Sequence, residues 1–495
     1  METPSVLPAV ALLPSAAAIP CIVLSGRRPG LRDACSVAAA LAQTALVAAM
    51  VPAVLEGGRP AFSAFTLVPG VPLLLRADAL GVLFATVASA LWILTTFYSI
   101  GYVRALDERR QTSYFAAFAT CLFATVGLAL AGNLLTFFVF FEVLTVAAYP
   151  LVVHKGSPEA MRAGRVYLTY TLTAGAALLA AIVGTFVVAG RLDFEPGGIV
   201  PAGTPPGALW MLLGLFVLGC GVKAALVPLH TWLPVAMIAP TPVSALLHAV
   251  AVVKAGVFGL VRVVGFVFGA GTLRDFGGAD LLAAIALVTI VFGSLLALAQ
   301  TNLKRLLAFS TVSQLSYVVL GVAVGAEAAF AGGVLHIVSH ALLKITLFFC
   351  AGALHVGAHV EGVGEMAGIG RRMPLTMTVF AVAALLLAGL PPGAAFLSKW
   401  RLLEGAASAG AVMASGALLL STVLNLAYFA PIVTRAFFAP PGPAAVACRD
   451  VPATMLVPLA ATLLAGLGLG LLDTVGFPAA ALAQAVAREV GAATR

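Results

Sequence analysis

Residues 221–262 read GVKAALVPLHTWLPVAMIAPTPVSALLHAVAVVKAGVFGLVR, an apolar stretch into which single lysines and histidines are set. Pro228 cannot donate a helix hydrogen bond and releases the carbonyl of Ala224 just after Lys223, so a helix is interrupted there. Beyond it, His248 and Lys254 lie inside a second apolar run near 242–266. A lysine at mid-membrane costs about 2.5–3.5 kcal/mol on insertion scales, so polar groups held in such runs point to function.

The rest of the chain has the same character. Of 495 residues, 62% are hydrophobic and 9% charged, whereas a soluble domain carries about 25% charged residues. This excludes a soluble enzyme, a disordered tail and a nucleic-acid module. A spanning helix needs about 20 apolar residues. Runs of this kind lie near 5–24, 34–54, 78–101, 113–131, 134–153, 165–189, 208–227, 242–266, 280–299, 306–325, 328–354, 374–390, 408–433 and 453–474. The fold class is an all-α polytopic membrane protein with about fourteen spans. The first run is a span rather than a signal peptide, because Glu2 precedes it and Arg27, Arg28 and Arg32 follow.

Loops after odd-numbered spans carry fifteen basic residues, Lys304 among them; loops after even-numbered spans and the tails carry eight, including Arg76, Arg262, Arg488 and Arg495. The positive-inside bias puts the odd loops in the cytoplasm and both termini on the non-cytoplasmic side of a bacterial-type inner membrane. Four of the six lysines, Lys223, Lys254, Lys344 and Lys399, fall inside apolar segments, while the loops use arginine. A desolvated lysine can lose its proton near neutral pH, which arginine does not. Six scattered cysteines without a CxxC pair give no sign of an iron–sulfur centre, and no cofactor or metal is expected.

Glu142, in NLLTFFVFFEVLTVAAYPLVVH, lies nine residues past Asn133, which is about 13 Å into its span. It is the one carboxylate near the middle of a run; Asp78, Glu327, Glu404 and Asp473 fall near ends. Facing an ammonium it can ionise, either as a structural ion pair or as part of a proton path. A second interruption, Gly389, Pro391, Pro392 and Gly393, precedes Lys399. Two broken segments, each with a lysine, are the pattern of two repeats building an ion path. His336, His340 and Lys344 are spaced i, i+4, i+8 and form one polar stripe suited to a proton relay. No HExxH pattern or third carboxylate accompanies the histidine pair, which argues against a metal. His248 and Lys254, six residues apart, face roughly opposite sides of a regular helix, so either can bridge helices or join the path. His230, His355 and His359 are expected at the aqueous surface. Small residues in GLGLGLL near Gly466 allow close helix contact, and VEGVGEMAGIG, with no strand before it, is not a dinucleotide site.

At these positions the chain resembles the antiporter-like proton channel family shared by respiratory complex I and Mrp-type cation/proton antiporters. The resemblance is carried by FFEVLTVAAYPLV around Glu142, by residues 221–262, and by LKRLLAFSTVSQLSY, HIVSHALLKITLFF and GLPPGAAFLSKW. It implies fourteen helices and two inverted five-helix repeats, with the seventh and twelfth helices broken. The corresponding divisions are 1–112, 113–266, 280–437 and 453–495. By motif position, Glu142 and Lys223 match the family's coupling glutamate–lysine pair, with Lys254 or His248, Lys344 and Lys399 continuing the path. About twenty residues follow residue 474, too few for the long lateral helix of the largest complex I subunit. The length therefore resembles an Mrp D-type or middle complex I subunit, although WLPVAMIAPTPVSALLHA looks more like the large one.

The expected function is proton translocation as a membrane subunit of an Mrp-type monovalent cation/proton antiporter. The alternatives are a subunit of a complex I-type NADH-quinone oxidoreductase or membrane-bound hydrogenase and, from another class, a stand-alone solute transporter. Expected partners are other membrane subunits, protons and the lipid bilayer, with any sodium site lying largely elsewhere in the complex and no nucleic acid.

Overall fold

The computed structural model describes residues 2–471 and 478–492; Asp473, Arg495 and the last residues of the expected fourteenth span lie outside the described residues. Thirteen described helices are long and apolar enough to cross a membrane. Eleven come first: α1 (Leu7–Leu24), α2 (Pro29–Leu55), α3 (Ala79–Ala105), α4 (Gln111–Ala129), α5 (Leu134–Val152), α6 (Pro158–Ala189), α7 (Pro206–Lys223), α8 (Thr241–Phe268), α9 (Gly278–Leu298), α10 (Leu303–Val324) and α11 (Glu327–Ala358). The twelfth span is divided into α12 (Pro374–Ala388) and α13 (Ala394–Ser408), each of 15 residues. At 1.5 Å per residue neither reaches across a ~30 Å hydrocarbon core alone. The last two spans are α14 (Val412–Phe438) and α15 (Ala453–Leu471), so fourteen crossings result.

Burial is the reverse of a soluble protein's radial pattern. Helices α8, α10 and α11 are enclosed almost throughout, whereas α1, α6, α9, α14 and α15 turn apolar faces outward. Val187 and Met413 are each 77% exposed, as befits side chains whose solvent is lipid. Polar groups collect instead in the middle of the bundle, among them Gln314, His336, His340, Lys344 and Asn425.

Beside the helices lies one small sheet. Strand β1 (Glu2–Pro4) runs parallel to β2 (Arg59–Val68), which pairs antiparallel with β3 (Val71–Arg76). This small sheet covers one end of the bundle. A further helix, α16 (Pro478–Ala492), packs on α3 and α11 at the same end. Charges tie these parts together: Arg76 bonds Glu2 at 2.6 Å, Arg59 bonds Glu489 at 3.2 Å, and Arg262 grips both oxygens of Asp78 at 2.5 and 2.8 Å. Burial pushes the Glu489 carboxyl above its usual range, against the pull of Arg59. Arg76 and Arg262, expected as loop charges, are thus buried, at 2% and 1% exposure. Lys304 is a third such case; it is buried and donates to the Ala239 carbonyl at 3.1 Å.

One backbone tie occurs twice. Leu134 N–H donates to Leu192 O and Phe194 N–H to Gly132 O; Leu303 N–H donates to Glu361 O and Val363 N–H to Thr301 O. Each tie starts at an asparagine N-cap, Asn133 or Asn302, whose side chain accepts from the N–H three residues on. The two sets are displaced by 169 residues without an insertion. The first tie joins the connections before α5 and after α6, and the second those before α10 and after α11. With five crossings from α5 to α10, the ties lie at opposite membrane faces, so the two units are inverted.

Asp78→Asn should leave the Arg262 guanidinium buried without its counter-charge and destabilise the protein by about 3–5 kcal/mol. Thermal unfolding of the solubilised protein reads this directly. The Asp78→Leu, Arg262→Met double variant should melt closer to the wild type.

Candidate functional site

Helix α7 ends at Lys223, five residues before the proline expected to break it, and the chain then turns through Ala225 at φ +57°. Trp232, in the short turn after the break, donates its indole N–H to the Val222 carbonyl at 2.7 Å, which also accepts the Ala225 N–H at 3.0 Å. Gly256 of α8 lies against this break, where a Cβ would collide with the backbone nitrogen of Ala224. The interruption therefore depends on a glycine in the neighbouring helix. His230, expected at the aqueous surface, is 6% exposed and packed between Phe292 and Phe309, because the loop folds back into the bundle.

Lys223 is fully buried and donates to the Phe141 carbonyl at 2.5 Å, with its ammonium 3.3 Å from the centre of the Phe141 ring. Glu142 is the next residue, yet the two make no direct ion pair among the described residues. The carboxylate lies toward α6, where a Cβ on Gly175 would stand 2.5 Å from Oε1, and that oxygen has no protein hydrogen-bond partner. The expected pair is thus adjacent but separated by a backbone step.

The α8 residues depart from the regular-helix expectation. A wider π turn covers Leu246–Val250, and Ala251 leaves helical geometry at φ −113°, ψ −83°. As a result His248 and Lys254 both reach α11 instead of opposite neighbours. Lys254 Nζ is 2.9 Å from His340 Nδ1, and the His248 ring packs tilted against Phe348, with centroids 4.9 Å apart.

The α11 stripe is present as spaced, and its members meet three neighbouring helices, α8, α10 and α13. His336 contacts Ser398 of α13 at 2.9 Å and Gln314 of α10 at 3.1 Å; His340 contacts Lys254 of α8; Lys344 donates to Ser310 of α10 at 2.8 Å. Lys399 donates to the Leu387 and Ala388 carbonyls at 2.9 and 3.0 Å, capping the end of α12. It does not snorkel outward. His355 is half-buried beside Glu361 at 3.3 Å, and His359 is exposed.

The hydroxyls and amides of α10 and α14 are neighbours of the stripe that hydropathy does not reveal. Ser310, Gln314, Ser421, Asn425 and Tyr428 form one buried network that touches Lys344 at one end and His336 at the other. Their spacing in LKRLLAFSTVSQLSY and STVLNLAYF is the available signal, but neutral polar residues weigh little in a hydropathy profile.

The family described as NADH:quinone oxidoreductase/Mrp antiporter, TM, matches residues 131–425, more than half of the chain. The chain belongs to this family. NADH-quinone oxidoreductase subunit N of Desulforudis audaxviator (strain MP104C) is 35% identical over 394 residues, covering 75% of this chain and 78% of that protein. The D-type Na(+)/H(+) antiporter subunit of Bacillus subtilis (strain 168) is 27% identical over 368 residues, covering 74% and 73%. A chain in the structure of the Mrp complex from Dietzia sp. DQ12-45-1b superposes with a TM-score of 0.87 at 23% identity, over 99% of this chain and 98% of that one. The fold is that of a multi-pass subunit from a multisubunit membrane complex.

Gly175→Ala should crowd Glu142 and destabilise the bundle by about 1–3 kcal/mol. It should also shift the infrared carboxyl band assigned to Glu142 by difference against Glu142→Gln. An unmoved band would mean that the side chain has room the packing does not allow.

Proposed function

We propose that this chain is a proton-translocating membrane subunit of a multisubunit Mrp-type monovalent cation/proton antiporter. The observation that carries the reading is the Lys254–His340 contact, 2.9 Å between two titratable groups with no exposed surface. An imidazole accepts on one nitrogen and releases from the other, and a desolvated lysine gives up a proton more readily, so the contact suits proton exchange. Glu142 and Lys223 form the acid–base start of the path. Lys254, His340, Lys344, His336 and Lys399 continue it, with His248 flanking. A change in ionisation at one group alters its neighbours by Coulombic coupling in a low-dielectric interior. Moving one charge against 100 mV takes about 2.3 kcal/mol, so the drive comes from a cation gradient or an exergonic reaction elsewhere in the complex.

The inverted units correspond to 113–266 and 280–437, flanked by 1–112 and 453–495. Both termini face the non-cytoplasmic side of a bacterial-type inner membrane, and the partners are other membrane subunits and lipid. A second reading, a subunit of a complex I-type NADH-quinone oxidoreductase, is favoured by the 35% identity to the Desulforudis audaxviator relative. Co-purified flavin and iron–sulfur subunits would support that reading, whereas small membrane subunits alone would support the antiporter.

In inverted vesicles carrying the assembled complex, Glu142→Gln and Lys223→Ala should each lower proton transport at least about tenfold, equivalent to ~1.4 kcal/mol. Normal transport by both variants would remove these residues from the mechanism.

A further inference from the structure

We propose that Asn425 and Gln314 are positioning residues that hold neutral His336 with its proton on Nε2, leaving Nδ1, on the side of α13, as the nitrogen that takes and releases the transported proton. The constraint begins at a backbone carbonyl, which can only accept. Asn425 of α14 places Nδ2 2.6 Å from the Ser421 carbonyl, so that atom is the amide nitrogen and its partner Oδ1 must accept. Oδ1 receives the Tyr428 hydroxyl and, at 3.2 Å, an amide hydrogen of Gln314. The Gln314 amide is thereby oriented with Oε1 toward His336, 3.1 Å from Nε2. An amide oxygen has no hydrogen to give, so the imidazole must supply it from Nε2.

The opposite nitrogen is built to change state. Nδ1 is 2.9 Å from Ser398 Oγ, and that hydroxyl also lies 3.2 Å from the Ala395 carbonyl. With the ring neutral, the hydroxyl donates to Nδ1. With the ring charged, Nδ1–H donates to the hydroxyl, which turns its hydrogen to Ala395. Either state is satisfied by rotating one hydroxyl, at a place with no water-exposed surface on His336, Ser398, Gln314 or Asn425. Proton exchange therefore occurs on the face toward α13, the helix that carries Lys399, while the Gln314 face stays closed.

The same anchor sets the far end of the network. Because Tyr428 donates to Asn425, it accepts from Ser310 at 2.9 Å, and Ser310 accepts from Lys344 at 2.8 Å. One amide on α14, touching neither titratable side chain, fixes hydrogen-bond direction at both.

The consequence for transport rests on the proton-transfer reading above; the tautomer itself does not. The test is magic-angle-spinning 15N spectroscopy of the membrane-embedded complex with labelled histidine, with His336 assigned by difference against His336→Asn. The wild type should show a bare Nδ1 and a protonated Nε2. Asn425→Leu and Gln314→Leu should each yield mixed tautomers and reduce proton transport about tenfold or more. A wild-type Nδ1–H form, or an unchanged tautomer in both variants, overturns the proposal. Should the wild-type complex move no protons while the tautomers behave as stated, the functional reading fails and the positioning role stands.

Discussion

A buried ammonium has three hydrogens to place away from bulk solvent, and the architecture around the bundle's lysines follows from how each one does so. Every one found in the bundle, Lys254 apart, donates to an oxygen: Lys223 to the Phe141 carbonyl, Lys399 to those of Leu387 and Ala388, Lys304 to that of Ala239, and Lys344 to Ser310 and the Leu307 carbonyl. Lys254 uses an imidazole. Non-helical backbone is tolerated at membrane depth where it is enclosed by protein, so a helix interruption serves as an acceptor site. The broken twelfth span and its lysine are in this sense one feature: α12 ends where Lys399 caps it.

The 169-residue displacement sets different residues at matching positions of the two units. It places Glu142 opposite Thr311, Phe141 opposite Ser310, and Tyr167, Thr171 and Gly175 opposite His336, His340 and Lys344. In the first unit the acid stands on the fifth span and a glycine on the sixth makes room for it; a Cβ at Gly175 would strike the carboxylate. In the second unit the acid position is a threonine and the glycine position is a lysine. That lysine donates to Ser310 and to the Leu307 carbonyl on the tenth span. Gly164 and Gly333 coincide under the same displacement, meeting Tyr149 and Val318 at equivalent positions. The scaffold is shared while the charge has changed sign.

Much of this was legible in the sequence because the membrane penalises charge heavily. Lysines and a lone carboxylate inside apolar runs announce themselves, as do clusters of proline and glycine. The i, i+4, i+8 stripe on α11 was legible too, since that helix is regular. The misses have physical causes. The π turn in α8 alters the angular relation between His248 and Lys254, and no residue type marks it. Arg76, Arg262 and Lys304 read as loop charges because they lie at span ends, where burial depends on the sheet, on Asp78 and on the Ala239 carbonyl rather than on local composition. The Asn133 and Asn302 ties join segments 58 residues apart, and a hydropathy profile carries no trace of them.

The neutral polar network on α10 and α14 changes how the histidine stripe is understood. Viewed on α11 alone, three evenly spaced titratable groups suggest a file along which a proton passes in order. Their partners do not support a simple file. His340 is engaged on Nδ1 by Lys254, whereas His336 has Nε2 against an amide oxygen that cannot take a proton onward. The two rings are 6.1 Å apart between centroids, too far for a direct hydrogen bond. Passage from one to the other therefore requires a rotation or an intervening donor, and such a step is where Coulombic coupling can act as a gate. On the proposed path the amides matter as much as the imidazole they hold, because they determine on which side His336 is open.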